Sequence, residues 1–220
     1  MNAPTTISPG KRPLVISDCD EVLLRMVSHF RDWLDEERDI DFAMGRDNFA
    51  TAMRHKDTGE QVAERDIWRL LREFFETEMH RQDPIEGAVL ALREISERAD
   101  VVILTNLLDE HGEARAKQLA EVGIHARVFT NQGPKGEAVK RIVEEYEPSV
   151  AIFIDDLAQH HRSVAEVAPD VRRLHMCGEP LLAPHVPCAH QAGHAHARID
   201  DWSEALPWLL DTLEKEGTPA

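Results

Sequence analysis

Residues 13–22 read PLVISDCDEV: an apolar run, Leu14 to Ile16, that ends in the acidic stretch Asp18-Cys19-Asp20. So short a run of aliphatic and β-branched residues, with no polar residue inside it, predicts a strand buried on both faces, as in a parallel sheet. Just beyond it the period changes. Leu23, Met26, Val27, Phe30, Trp33 and Leu34 recur at spacings of three and four, the spacing of one helix face. The chain therefore opens as a strand, an acidic turn and a helix.

Further along, the same alternation repeats. A helix over 86–98 leads to the apolar strand VVILT at 101–105, and a helix over 110–122 leads to ARVFT at 126–130. A helix over 135–146 then leads to VAIFID at 150–155, and a helix over 157–167 to VRRLH at 171–175. Alternating strands and helices of this length predict an α/β fold, a Rossmann-like parallel sheet with helices on both faces. The stretch 23–81 shows no convincing strand. Asp57 and Glu60 form a capping-box pattern ahead of Ile67, Leu70, Leu71, Phe74, Phe75 and Met79, which share a helical face. The organisation expected is a flexible tail over 1–12, a core made of 13–22 and 82–220, and an all-helical insert over 23–81. Residues 178–196, rich in Pro, Gly and His, read as loop. Asp201 and Glu204 should cap a last helix, kinked at Pro207.

In open α/β sheets ligands bind beyond the carboxyl ends of the strands, so the residues at those ends are the candidates for chemistry. The first strand ends in Asp18 and Asp20, the second in Thr105 and Asn106, and the fourth in Asp155 and Asp156. Lys135 follows the third, near the start of its helix. One rim would thus gather two acid pairs, a hydroxyl and an ammonium.

These residues, in this order, resemble the four motifs of the haloacid dehalogenase superfamily: Asp-x-Asp after an apolar strand, a strand ending in Thr, a lone Lys, and a strand ending in Asp-Asp. The resemblance spans about 13–176, and the insert is similar to that family's helical cap. It implies a magnesium-dependent phosphatase acting on a small phosphorylated metabolite. Asp18 would attack phosphorus and carry a phospho-aspartate, and Asp20 would act as general acid and base. The ligands of Mg2+ would be the Asp18 side chain, the Asp20 main-chain carbonyl, Asp155 and Asp156, the last directly or through water. Lys135 would steady the charge on Asp18 and on the phosphoryl group. Phosphoryl oxygens would be bound by the Thr105 hydroxyl and by the backbone N–H groups of Asn106 and Cys19. Glu21 departs from the pattern, because Gly is common at that position. Asp20 favours a phosphate over a haloacid, since the dehalogenase branch has no acid there.

Other readings stay open at this stage. A sugar phosphate mutase would use the same residues, and an inactive binding protein would have Glu21 as its suspect feature. A receiver-type phosphorylation switch fits less well, because the third strand ends in Thr130-Asn131 without an acid and such domains lack a large insert. Asp156 is equally a helix cap. The Cys19 thiol should point away from both neighbouring carboxylates, by strand alternation. Arg54, His55 and Lys56 read as a solvated loop, and Trp33, Phe74 and Phe75 as the insert's own core. His175, Cys177, His185, Cys188, His190, His194 and His196 match no regular zinc spacing.

Composition narrows the partners. The chain has 220 residues and a formal charge of -16, which disfavours nucleic acid backbones and anionic membranes. Its three cysteines do not suggest a disulfide framework and fit a reducing compartment. No run approaches the roughly 18 apolar residues of a membrane span, so the expected location is cytoplasmic.

Overall fold

The computed structural model describes residues 11–43, 49 and 51–217. Most of the expected tail therefore lies outside the described residues. Its last two residues pair with the body, Lys11 with Glu147 and Arg12 with Asp100.

The core sheet has six strands: β1 (Leu14–Ser17), β4 (Asp100–Thr105), β5 (Arg127–Thr130), β6 (Ala151–Asp155), β7 (Arg172–His175) and β8 (Ala197–Arg198). Their order is β5-β4-β1-β6-β7-β8, and every pairing is parallel. The chain thus builds outward from β1 to one edge, returns beside β1 and builds to the other edge. β1 lies at the point where the direction reverses, which is where open α/β sheets leave a crevice for ligands.

Each face of β1 is covered. Leu14 and Ile16 join Val102, Leu104 and Phe153 on one face, under α5 (Gly136–Tyr146) and α6 (Ala158–Val167). Val15 joins Ile103, Ile152 and Ile154 on the other, under α3 (Ala88–Ser96), α4 (Gly112–Glu121) and α7 (Trp202–Gly217). The uninterrupted apolar run of β1 follows from this, since neither face meets water. Asp201 caps α7 as expected, its Oδ1 accepting from the backbone N–H groups of Ser203 (2.7 Å) and Glu204 (3.3 Å). The helix continues through Pro207. β8, only two residues long, carries no periodicity and was not expected from sequence.

The insert corrects two expectations. It holds α1 (Val27–Glu37) and α2 (Glu64–Thr77), but also an antiparallel pair, β2 (Ile40–Phe42) and β3 (Met53–His55), so it is not all-helical. Strands of three residues are too short to print a period of two on the sequence. Further, α2 starts at Glu64, not near Asp57, and its N-cap residue, Ala63, makes no side-chain cap. The Asp57 carboxylate instead accepts from the Thr58 N–H at 2.7 Å, in a turn that passes through Gly59 at φ +69°. A left-handed residue there stops the helix from starting earlier.

The insert has its own apolar cluster, in which Phe30 meets Phe74 edge-on at 5.4 Å and stacks on Trp33 at 5.9 Å. Leu23 and Leu24 belong to the sheet's cluster instead, and Val27 is the first residue of the second. Among the described residues no helix is long and apolar enough to cross a membrane.

Candidate active site

Register brings the acids together. Ser17 is level with Ile154, so the next residues, Asp18 and Asp155, leave adjacent strands side by side. Lys135 joins them from the start of α5. Its Nζ lies 2.8 Å from Asp18 Oδ1 and 2.7 Å from Asp155 Oδ2, and its side chain is fully buried. Gly136 makes this placement possible. A Cβ there would sit 2.5 Å from the Ser163 carbonyl oxygen, so only glycine lets α5 start this close to α6. Its N–H donates to Ser163 Oγ at 3.0 Å.

Asp156 completes the cluster. Oxygens of Asp18, Asp155 and Asp156 all lie within 4.8 Å of one another, and all three residues are buried. No side chain caps α6, so Asp156 does not serve as its cap. The Leu157 N–H donates instead to Asp155 Oδ1 at 2.9 Å.

The electrostatics follow from burial. Loss of water pushes the Asp18 carboxyl up to about 7, against the pull of the Lys135 ammonium. Burial, with the charges of Asp155 and Asp18, holds Asp156 well above the usual carboxylate range. Burial also opposes ionisation of Asp155, but Lys135, with help from His160 and His161, holds it below that range. If all three acids ionise, one ammonium leaves two negative charges uncompensated, the charge of one divalent cation. The donor set is hard carboxylate oxygen, which suits magnesium or calcium and not a thiol- or imidazole-seeking metal.

Asp20 lines the same cleft but has partners of its own. Its carboxylate accepts from Arg115 Nη2 at 3.0 and 3.2 Å and from Gln82 Nε2 at 2.7 Å. Arg115 is fully buried and also reaches Gln82 Oε1 at 3.0 Å and Gln118 Oε1 at 3.2 Å. Sequence reasoning missed this clamp. A signal was present: on α4, Arg115 shares a helical face with Gln118 and Leu119, three and four residues on, and all three are buried.

Glu21 also finds a role. It is 2% exposed and sits at φ 60°, a backbone region that suits Gly. Its Oε1 accepts from the N–H groups of Met26 (2.9 Å) and Val27 (2.6 Å) at the start of α1, while Oε2 has no partner. Burial pushes its carboxyl up to about 8. The departure at Glu21 thus ties the insert's first helix to the strand-end turn.

The remaining candidates divide. Thr105 is fully buried at the end of β4, and its hydroxyl has no hydrogen-bond partner. The Cys19 N–H donates to Asp18 Oδ1 at 2.7 Å. The Cys19 side chain packs in the core cluster, and burial raises its thiol far above the ordinary range, so it stays neutral. The Asn106 side chain accepts from Asn131 Nδ2 at 2.9 Å and donates to the Gly133 carbonyl at 3.0 Å. Lys56 pairs with Asp35 at 2.7 Å in a solvated segment. Trp33 and Phe74 lie in the insert's core, but Phe75 also lines the cleft over the site.

The histidine-rich loop is tied down by hydrogen bonds. His175 Nε2 lies 2.7 Å from the Asp156 carbonyl, its Nδ1 accepts from Ala189 N–H, and His196 Nδ1 accepts from Arg173 N–H. Among the described residues, its histidines and cysteines form no cluster of three potential ligands.

A cleft of about 830 Å3 opens above the carboxylates, between sheet rim and insert. Asp18, Asp20, Asp156, Asn106 and His160 line its sheet side.

No protein-family profile matches this chain, and none of the curated proteins does. Solved structures do. A haloacid dehalogenase family hydrolase from Deinococcus radiodurans, with bound phosphate and sodium, superposes with a TM-score of 0.66 at 16% identity. The match covers 96% of this chain and 100% of that one. A protein described as a putative beta-phosphoglucomutase, from Thermotoga maritima, gives 0.60 at 15% identity, covering 90% and 99%. The putative hydrolase YfnB from Bacillus subtilis, bound to magnesium, gives 0.59 at 15% identity, covering 91% and 99%. These superpositions, over nine-tenths or more of the chain, show that it has the fold of the haloacid dehalogenase-like hydrolases.

Proposed function

We propose that the protein is a magnesium-dependent phosphatase that hydrolyses a small phosphomonoester through a phospho-aspartate on Asp18. The observation that carries this reading is the buried set of Asp18, Lys135, Asp155 and Asp156, placed where the sheet reverses direction and beneath an open cleft.

In the first step an Asp18 oxygen attacks phosphorus and the bond from phosphorus to the ester oxygen breaks. The departing oxygen takes a proton from Asp20. In the second step water attacks the phosphorus of phospho-Asp18, Asp20 takes the water's proton, and the bond to Asp18 breaks to release phosphate. Lys135 stabilises the oxygens that gain charge. The unpartnered hydroxyl of Thr105 suits a phosphoryl oxygen, since a buried hydroxyl without a hydrogen bond is otherwise costly. Arg115 and Gln82 fix the direction in which Asp20 points.

Asp18, Asp155 and Asp156 would hold the magnesium, together with the Asp20 carbonyl. When bound, the cation neutralises charge shared between carboxylates and phosphoryl oxygens. The Deinococcus structure holds phosphate and sodium and the Bacillus one magnesium, which supports a phosphate substrate and a cation for a chain of this fold. The insert acts as a cap over the site, excluding bulk water.

The test is turnover of p-nitrophenyl phosphate against magnesium concentration. Wild type should require the cation, and Asp155→Ala should need more of it for half-maximal rate. A folded wild type inert toward a panel of phosphate esters, with or without divalent cations, contradicts the proposal.

A further inference from the structure

The cleft extends well past the carboxylates. At about 830 Å3 it falls in the range of small-molecule sites, roughly 300–1,000 Å3, and is far larger than one phosphate requires. The wall opposite the sheet rim is apolar. Met26, Phe49, Trp68, Leu71 and Phe75 of the insert line it, with Leu182 from the loop after β7.

On α2 this arrangement is unusual. Ile67, Leu70 and Phe74 point into the insert's own cluster and satisfy the one apolar stripe that a surface helix needs. Trp68, Leu71 and Phe75 form a second stripe, at spacings of three and four, that faces the cleft. Trp68 remains 54% exposed there, and on the sheet side Leu157 remains 38% exposed. Exposed apolar side chains facing each other across a cleft that ends at a reactive centre mark the place of an apolar ligand group.

Charge points the same way. Among the described residues no Lys or Arg lines the cleft, and its carboxylates are Asp18, Asp20, Glu21 and Asp156. Among the described residues, the charged groups that a second phosphate or a carboxylate on the substrate would meet are carboxylates. The other polar side chains, Asn106, Gln159, His160 and His185, are few for a sugar with hydroxyls around its ring.

We infer that the site takes phosphomonoesters whose alcohol part is an uncharged alkyl or aryl group, and that it discriminates against sugar phosphates and bisphosphates. This rests on the phosphatase reading above and adds the substrate class. The test uses primary alcohol esters, so that leaving-group chemistry is constant: ethyl, butyl, hexyl and 2-phenylethyl phosphate beside glucose 6-phosphate and glycerol 3-phosphate, all with magnesium. Expected is a rise in kcat/KM from ethyl to hexyl on the order of threefold per methylene over the first additions. Glucose 6-phosphate should fall below butyl phosphate. Trp68→Ala and Leu157→Ser should each flatten the chain-length dependence. A flat series, or preference for the sugar ester while turnover is robust, overturns the substrate class and leaves the phosphatase standing. If no ester turns over, calorimetry with ethyl- and hexylphosphonate decides. Tighter hexyl binding, lost in Trp68→Ala, keeps the apolar site and removes the phosphatase; equal or absent binding of both overturns the apolar site as well.

Discussion

On the sheet side of the cleft, Asp18, Lys135 and Asp155 are buried and joined by contacts of 2.7 to 2.8 Å. On the insert side, Trp68 stands 54% exposed, with a long 3.4 Å contact from its indole N–H to Glu64 and its ring stacked on Phe49 at 6.4 Å. The first wall is a charge cluster in which each group sets the ionisation of its neighbours. The second is a set of apolar side chains that rest on the insert's own cluster, Phe75 against Phe74 at 5.9 Å and Trp68 against Phe49, and turn their free sides to the cleft. On the proposed function the difference separates two tasks. Groups that make and break bonds must be fixed to a fraction of an ångström, and burial achieves this. Groups that select a leaving group need only present area.

Four changes would break or sharpen the contrast. The largest effect is expected from Asp18→Asn on the sheet side. It should lower turnover on the order of 10^6-fold, as loss of the nucleophile does in a serine protease, while the melting curve stays cooperative. Residual turnover near wild type, measured with p-nitrophenyl phosphate, would remove Asp18 from the nucleophile's role.

Next is Lys135→Met, which deprives two buried carboxylates of their counter-charge. It should destabilise the protein by about 3–5 kcal/mol in denaturant melts. An unchanged midpoint would mean that the cluster is not electrostatically tight.

Third is pH. Carboxyls raised by burial bind protons in the folded state that they would release when unfolded, so they favour folding at low pH and lose that contribution as pH rises through the folded value. Asp18 (about 7), Glu21 (about 8) and Asp156 (raised) all act in this sense. His160, His161 and His175 are lowered and act in the opposite sense, but only below their ordinary value of 6.5. Between pH 6.5 and 8 the raised carboxyls dominate over the lowered histidines. Metal-free protein should lose on the order of 2 kcal/mol across that window, a fall in Tm of roughly 5 °C. Magnesium should restore more at pH 8 than at pH 6, because it binds the ionised acids. A scanning-calorimetry series that is flat with pH, or unmoved by magnesium, would contradict the three-acid site.

Smallest is Trp68→Ala on the insert side. A half-exposed side chain should change stability by no more than about 0.5 kcal/mol. A larger loss in thermal melts would mean that Trp68 holds the insert together and does not simply face a ligand.

The same contrast explains what could be read from sequence. The rim was legible because a parallel sheet must bury both faces, so strands print as apolar runs and their ends print as sudden acids: Asp18 after Ile16, Asp155 after Ile154. Lys135 stood out only by its place in that order. Arg115 was not legible as a partner of Asp20, since 95 residues separate them and only the fold brings them to 3.0 Å. Glu21 broke a glycine preference with no local sign that it would cap α1. The hairpin of β2 and β3 was hidden by its length. The apolar lining was hidden for another reason: Leu70 and Leu71, or Phe74 and Phe75, are adjacent apolar residues, and only the packing of α2 shows which of each pair enters the insert's core and which faces the cleft.

The most direct measurement is to quench the protein in acid during turnover of a phosphate ester with magnesium, and to map the phosphorylated peptide by mass spectrometry. One phosphoryl group on Asp18, lost on incubation at neutral pH and absent from Asp18→Asn, is the expected result. Steady turnover with the label on another residue, such as His160, or with no covalent label under conditions that trap acyl phosphates, would contradict nucleophilic attack by Asp18.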